Sequence, residues 1–287
     1  MLRRARGLVG LAAVGASELT PIGHVRSCFS AKFGTPRQGC LAPAARATLQ
    51  LDGLGPGLDA RQALDGLEAY SHVWLIWLAH LNGHAATRSK VQPPRLRGAR
   101  TGLFATRAVY RPNPLGLTLA KLDAISGDTL HLSGVDLVAG TPVVDVKPYI
   151  PTYDAAPAAT AAAWAADDSP ALRVSFTAAA AAQLEAVRGA AASASADAAP
   201  LLRDTTTLRD ALVQSIAADP RPLYRWRRQQ AAADGGAPAV VDDGESSSDS
   251  VSDEGGEYDN RIDGVCARIR FIGDAEAEVL AVTPSDA

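Results

Sequence analysis

Residues 117–132 read LTLAKLDAISGDTLHL, and their reading decides the fold. Leu117–Ile125 predicts a strand, Ser126-Gly127-Asp128 the turn that ends it, and Thr129–Leu132 the strand that returns. Working outward, Gly140-Thr141-Pro142 introduces a further strand at Val143–Val146, and Asn113-Pro114 separates Leu117 from a strand expected over Leu103–Val109. Upstream, Ser71–Leu81 (SHVWLIWLAHL) reads as a long strand buried on both faces, Ala47–Leu51 as another, and Ile22–Phe29 alternates loosely. The helical candidate among them is short, Asp65–Tyr70. Six or seven strands between Thr20 and Tyr153, punctuated by Gly and Pro, predict a mainly β fold, a barrel or a sandwich.

Composition limits what such a fold can belong to. A chain of 287 residues has room for one or two domains, and 47% hydrophobic with 21% charged residues excludes disorder throughout. No run of about 18 uncharged apolar residues occurs, which excludes a membrane-spanning helix. Three cysteines without a CxxC pair (Cys28, Cys40, Cys266) argue against a disulfide framework or a four-cysteine zinc site. The net charge of −3 hides an asymmetry. Leu19–Tyr153 carries 4 Lys and 10 Arg against 7 Asp and 1 Glu, whereas the chain from Asp154 onward carries 11 Arg against 22 acids. A basic front half ahead of an acidic back half suggests an anionic partner for the front, although a solvated arginine-rich surface has the same composition.

The first eighteen residues, MLRRARGLVGLAAVGASE, are basic, rich in alanine and free of acids until Glu18. They suit an organellar presequence or an unstructured extension, so the expected location is cytoplasmic with a mitochondrion or plastid as the alternative. Residues 19–154 make the β domain. Alanine supplies 23 of the 46 residues from Ala155 to Pro200, and 155–170 reads as a linker. Residues 171–287 read as a small α+β module. Its expected elements are a strand at Leu172–Phe176, helices at Ala178–Val187 and Leu208–Ala218, and a strand pair at Cys266–Ile272 and Glu278–Val282. Asp242–Asp259 carries eight acids and no base, and Ser246–Ser250 is rich in serine, so an acidic insertion around 231–259 is expected to be disordered.

Several chemistries are excluded by missing motifs. Gly53-Leu54-Gly55-Pro56-Gly57 has the wrong spacing and a proline where a dinucleotide fingerprint needs a helix start, and neither GxxxxGK[ST] nor GxSxG occurs. His80 and His84 have zinc-protease spacing, but Asn82-Gly83 breaks a helix and no glutamate follows His80, so no metal is expected. What stands out is a set of polar loops pinned by proline. They are Thr35-Pro36-Arg37-Gln38, Thr106-Arg107 with Arg111-Pro112-Asn113-Pro114, and Asp136 through Pro142 into Asp145-Val146-Lys147-Pro148-Tyr149. Proline fixes φ and removes a donor, so these loops hold side chains and carbonyls in place at little entropic cost. The same loops would also serve as plain barrel-end turns.

These residues carry a resemblance. The run from Pro21-Ile22-Gly23 through SCFSAKFGTPRQ, LEAYSHVWLIWLAH, KVQPPRL, TGLFATRAVYRPNPLGLTLAKL and LSGVDLVAGTPVVDVKPYIPTYD resembles the TsaA-like or TrmO family, most specifically in RPNPLG and GTPVVDVKPY. Val174-Ser175-Phe176-Thr177 and Asp219-Pro220-Arg221-Pro222-Leu223-Tyr224-Arg225 resemble the family's C-terminal domain. The N-terminal extension, the alanine-rich spacer and the acidic insertion depart from it. The resemblance implies a small closed β-barrel that binds S-adenosylmethionine without a Rossmann sheet, usually in a homodimer with the cofactor near the interface. It implies N6-methylation of N6-threonylcarbamoyladenosine just 3′ of the anticodon, and so tRNA, through its anticodon loop, as partner. Carried over by position, the family's cofactor contacts fall on Pro36, Arg37, Gln38, His80, Leu81, Arg107, Leu117, Ser133, Gly134, Val135 and Asp136.

That chemistry assigns expectations to further residues. The ureido N6 must lose a proton, and Asp136 or Asp145 is the candidate acceptor, with a turn-capping aspartate as the plain alternative. The threonyl carboxylate calls for Arg111 or Lys147, while Asn113 and Tyr149 suit hydrogen bonding to, or stacking on, the base. Lys90, Arg95, Arg97 and Arg100, with Arg221, Arg225, Arg227 and Arg228, are candidates for phosphate contacts. A non-catalytic barrel that binds a nucleotide or RNA is the alternative function, and a hydrolase or metal enzyme is disfavoured by its missing motifs.

Overall fold

The computed structural model describes residues 19–82, 88–96, 99–166, 171–191, 199–219, 257–273 and 275–285. In chain order the first half comprises β1 (Gly23–Ser27), β2 (Arg46–Leu51), α1 (Ala60–Ala63), β3 (His72–Leu78), the two-residue strands β4 (Lys90–Val91) and β5 (Thr101–Gly102), β6 (Leu115–Ser126), β7 (Thr129–Ser133), β8 (Pro142–Pro148) and α2 (Pro151–Asp154). Six of these strands close into a barrel in the order β1-β2-β7-β6-β3-β8, every pairing antiparallel. The β6–β7 hairpin turns on Gly127, whose φ of 66° suits a residue without a Cβ. Closure comes from β8 against β1, with Gly23 opposite Val143.

Alternation decides which side chains fill the barrel. Val25, Leu49, Val73, Leu75, Ala120, Leu122, Leu130, Leu132 and Val143 point inward and are buried. Each large aliphatic side chain so buried contributes about 1.5–3 kcal/mol relative to its exposed state. The second half comprises β9 (Arg173–Phe176), α3 (Ala178–Ala191), α4 (Thr205–Ala217), β10 (Glu257–Ile262), β11 (Val265–Ile272) and β12 (Glu276–Pro284). Its sheet runs β10-β11-β12-β9, the last pair parallel. Leu184, Leu208, Leu212 and Ile216 from its helices pack with Ile262, Val265 and Val279 in the same continuous core that fills the barrel.

The mainly β barrel and its α+β companion are as expected, and four local readings are corrected. Ser71–Leu81 is not buried on both faces: β3 alternates, with Val73 and Leu75 inside and Trp74 and Ile76 half-buried outside. Leu103–Val109 is no strand; Leu103–Ala105 forms a 3-10 turn closed by Thr106 Oγ1 donating to the Leu103 carbonyl at 2.8 Å. No α-helix covers Asp65–Tyr70: α1 lies wholly before it at Ala60–Ala63, where Asp59 caps it by accepting from the Gln62 amide, and Leu67–Ala69 is a separate 3-10 turn. Glu257–Asp259, assigned to the acidic insertion, opens β10 instead. There the acids face outward onto arginines of β11, Asp259 to Arg268 at 3.2 Å and Glu257 to Arg270 at 2.8 Å, while Tyr258 turns into the core. The remainder of that insertion and the N-terminal extension lie outside the described residues.

Candidate functional site

Two loops at one end of the barrel meet at a pair of glycines. Gly39 follows Thr35-Pro36-Arg37-Gln38, and a Cβ built on it would overlap the Gly134 carbonyl oxygen. Gly134 holds φ at 65°, in the left-handed region, as the chain leaves β7 for Asp136. The contact brings the first and last of the expected cofactor segments side by side. Pro36 is buried, Gln38 half-buried and Arg37 exposed.

Around this junction a polar relay is built from three barrel elements. Thr118 points into the barrel from β6 and donates to Asp136 Oδ1 at 2.6 Å; Trp77 Nε1 on neighbouring β3 donates to Thr118 Oγ1 at 3.0 Å. Gly116, opposite Trp77, leaves room for the indole, whose ring a Cβ there would overlap. From the other side Arg107 donates to the Gln38 side-chain carbonyl, and its charge acts on Asp136. Burial pushes the Asp136 carboxyl above the usual carboxylate range, outweighing the Thr118 hydrogen bond and the Arg107 charge. The result is a half-buried carboxylate with one oxygen anchored and a guanidinium nearby. Such a group can hold a cation or take up a proton.

His80 and Leu81 lie at the end of β3. Burial, then the charges of His24 and Lys32, lower the His80 pKa below its ordinary value, so the imidazole is neutral at neutral pH. It abuts Gly140, whose absent Cβ would lie 3.8 Å from His80 Nε2. The Leu81 side chain is exposed, but its carbonyl accepts from Lys32 Nζ at 2.6 Å, and Asn82 Nδ2 donates to the Val109 carbonyl at 2.9 Å. The loops that carry Gln38, His80 and Arg107 are thereby tied together.

Other expected residues sit elsewhere. Ser133 and Val135 bury their side chains, Ser133 Oγ donating to Asp123 at 3.1 Å, and it is the Val135 backbone that faces Gly39. Leu117 projects outward from β6, 54% exposed, on the face opposite Thr118. Asp145 and Lys147 also face outward, paired at 2.8 Å, and Tyr149 packs edge-on against Trp74 with ring centroids 5.9 Å apart. Arg111 lies over the Phe104 ring at 5.2 Å and donates to the Thr106 carbonyl at 3.1 Å, while Asn113 is exposed. Lys90, Arg95 and Arg100 are exposed on the segment around β4 and β5; His84, Arg97, Arg221, Arg225, Arg227 and Arg228 lie outside the described residues.

Sequence reasoning missed Thr118 and Trp77. A threonine at an inward position between Gly116 and Ala120 was the available signal, since a buried hydroxyl needs a partner. Cys28, buried, has its thiol pushed up to about 12, chiefly by burial, which leaves it inert as a nucleophile. Among the described residues no three His, Cys, Asp or Glu side chains converge on one point, and no helix is long and apolar enough to cross a membrane.

Comparison with known proteins follows the same residues. The family model for the tRNA-methyltransferase O N-terminal domain matches residues 24–155. The tRNA (adenine(37)-N6)-methyltransferase of Rattus norvegicus is 52% identical over 134 residues, 47% of this chain and 31% of that one, so the chain spans about a third of the mammalian protein's length. The Escherichia coli protein of that name is 39% identical over 209 residues, covering 71% of this chain and 82% of its own. A crystal structure of TrmO from Pseudomonas aeruginosa superposes with a TM-score of 0.66 at 32% identity, over 93% of this chain and 97% of that one. The likeness thus runs beyond the barrel into the second half, and the chain belongs to the tRNA-methyltransferase O (TrmO) family.

Proposed function

We propose that this chain transfers a methyl group from S-adenosylmethionine to N6 of an adenine in tRNA, and that its substrate is N6-threonylcarbamoyladenosine beside the anticodon. The observation that carries the reading is the half-buried Asp136, anchored by Thr118 next to the Arg107–Gln38 pair. Relatives named tRNA (adenine(37)-N6)-methyltransferase and S-adenosylmethionine-dependent methyltransferase support it.

The residues present suit the cofactor. A sulfonium amino acid joined to adenosine carries a cation, a carboxylate and an adenine edge. Asp136 offers a carboxylate to the first, Arg37 and Arg107 offer guanidinium groups to the second, and the fixed backbone at Gly134 and Leu81 offers hydrogen-bonding groups to the third. S-adenosylmethionine, when bound, supplies an electrophilic methyl group. The chain's own work is positioning, exclusion of water and removal of one proton. N6 of the threonylcarbamoyl nucleoside loses its hydrogen as it gains the methyl. Asp136 is assigned as acceptor, on Oδ2, because Oδ1 already accepts from Thr118 and because burial raises its basicity. Asp145 is set aside for this role, since its carboxylate is paired with Lys147 on the outer face.

Arg111 is assigned to the threonyl carboxylate, with Asn113 and Tyr149 beside the base and Lys147 toward the phosphates. The exposed Leu115 and Leu117 on the outer face of β6 support assembly as a homodimer. Sedimentation of the wild type against Leu117→Arg tests that assembly. The proposed compartment is the cytoplasm, tested by imaging the full chain with and without residues 1–18.

The deciding experiment offers threonylcarbamoylated and unmodified tRNA with S-adenosylmethionine and reads nucleosides by mass spectrometry. A one-methyl gain on the threonylcarbamoyl nucleoside alone is expected. A gain on unmodified adenine overturns the substrate, and no gain with the cofactor bound favours a binding-only barrel.

A further inference from the structure

The Phe29–Gln38 loop does not rest on the barrel alone. Phe29, fully buried, bridges two partners at once: Val138 of the loop that follows Asp136, and Ile262 at the end of β10. Its carbonyl accepts from the Ala139 amide at 2.8 Å, and the Cys28 carbonyl accepts from the Asp263 amide at 2.7 Å. Further along, Phe33 stacks on Tyr258 of β10 with centroids 6.2 Å apart. The second half of the chain therefore touches the Phe29–Gln38 loop through β10, and reaches the loop after Asp136 through Phe29.

The most telling contact is that of Asn260 with Gly34. Asn260 is fully buried on β10, and its Nδ2 donates to Ser215 Oγ at 3.1 Å, while Ser215 in turn donates to the Leu212 carbonyl of α4 at 3.0 Å. Its Oδ1 has no hydrogen-bond partner among the described residues. A buried acceptor left unsatisfied carries its full desolvation penalty, and a leucine or alanine on β10 would avoid that cost. What the amide does instead is abut Gly34. A Cβ on Gly34 would overlap Oδ1 and stand 2.9 Å from Asn260 Cγ, so the Cα–H bond points at the amide. Gly34 holds φ at 88°, a conformation open to glycine, and Thr35-Pro36-Arg37-Gln38 follows at once.

We propose that Asn260 is a positioning residue for the cofactor loop: locked by Ser215, its side chain sets the left-handed turn at Gly34 and so the placement of Arg37 and Gln38 against Arg107. The inference rests on the cofactor reading above, and it gives the second half of the chain a part in methyl transfer besides any contact with tRNA. An orphaned polar atom is tolerated where the surroundings need its position more than its hydrogen bond.

The test uses the full chain with Asn260→Ala and Gly34→Ala, singly and together. Amide hydrogen exchange is read in residues 32–39 and, as reference, in β2 and β7. Asn260→Ala should speed exchange in the loop and leave the reference strands unchanged. It should also weaken S-adenosylmethionine binding about tenfold, equivalent to 1.4 kcal/mol, with kcat at saturating cofactor held within about twofold. A purely structural role would lower the melting temperature and the active fraction without moving the cofactor KM. In the double variant the two effects should fall short of multiplying, because the alanine at 34 no longer meets the amide. Unchanged loop exchange and cofactor affinity in Asn260→Ala overturn the inference, as do independent effects in the double variant. Should Asn260→Ala fail to fold, Gly34→Ala carries the same readouts from the loop's side, because its Cβ presses on the Asn260 amide without removing it. A wild type that does not bind S-adenosylmethionine overturns the functional reading, whereas loop exchange still decides the positioning.

Discussion

Gly39 and Gly134 meet backbone to backbone, with no room for a Cβ on Gly39 against the Gly134 carbonyl oxygen. Two loops separated by almost a hundred residues of sequence are held in register by this contact, so the spacing between Gln38 and Asp136 depends on it.

Gly39→Ala should therefore separate the loops. Relief of the overlap is expected to cost about 1–3 kcal/mol of stability, read by denaturant titration. Calorimetric titration should show S-adenosylmethionine binding falling further than the stability loss explains; undiminished affinity would show that the loops are not paired in the cofactor complex.

Asp136→Asn should separate catalysis from folding. Asparagine still accepts from Thr118 but takes no proton, so kcat is expected to fall by about 10²–10⁴. Stability near neutral pH should hold or rise, because burial penalises the charged carboxylate. Asp145→Asn, on the outer face with Lys147, is expected to retain most of its turnover. A reversed ranking of the two variants would move the proton acceptor to Asp145.

The pH dependence has a defined sign. Burial raises the Asp136 pKa above the ordinary 3.8, so the acidic limb of kcat should lie above that value. The same group favours the folded state below its unfolded pKa. That contribution is lost as pH rises through the folded pKa. Stability of the wild type relative to Asp136→Asn should fall across that window, as urea melts at several pH values will show.

Thr118→Val keeps the shape and removes the hydroxyl. It takes away the hydrogen bond that lowers the Asp136 pKa, so the acidic limb should move to higher pH. It also leaves Trp77 Nε1 without its acceptor, at about 1–3 kcal/mol. An acidic limb that stays in place in this variant would assign it to another group.

Arg107→Ala should weaken cofactor binding, and Arg107→Lys should restore it only in part, because the fork of the guanidinium that meets Gln38 is lost. Equal affinities for the lysine variant and the wild type would reduce the role of Arg107 to plain charge.

Much of this was legible in the residues. The Ser126-Gly127-Asp128 turn and its flanking strands placed the β6–β7 hairpin, and from it the barrel, because turn chemistry and alternation are local signals. The proline-pinned loops also announced themselves. Leu103–Val109 misled, because apolar content without alternation does not distinguish a strand from a packed 3-10 turn. Glu257–Asp259 misled for a different reason: a run of acids reads as self-repelling until the arginines of β11 that neutralise it are placed opposite. The Asn260–Gly34 and Gly39–Gly134 contacts, each joining distant segments, have no local signature.

The position of β12 at the middle of its sheet, parallel to β9 and antiparallel to β11, bears on how the protein is made. The barrel has all six of its strands once Pro148 has been synthesised. The second sheet cannot be completed until Glu276–Pro284 has emerged from the ribosome, because β9 joins it through β12. A nascent chain thus carries a closed barrel whose Phe29–Gln38 loop still lacks its support until β10 has followed it out.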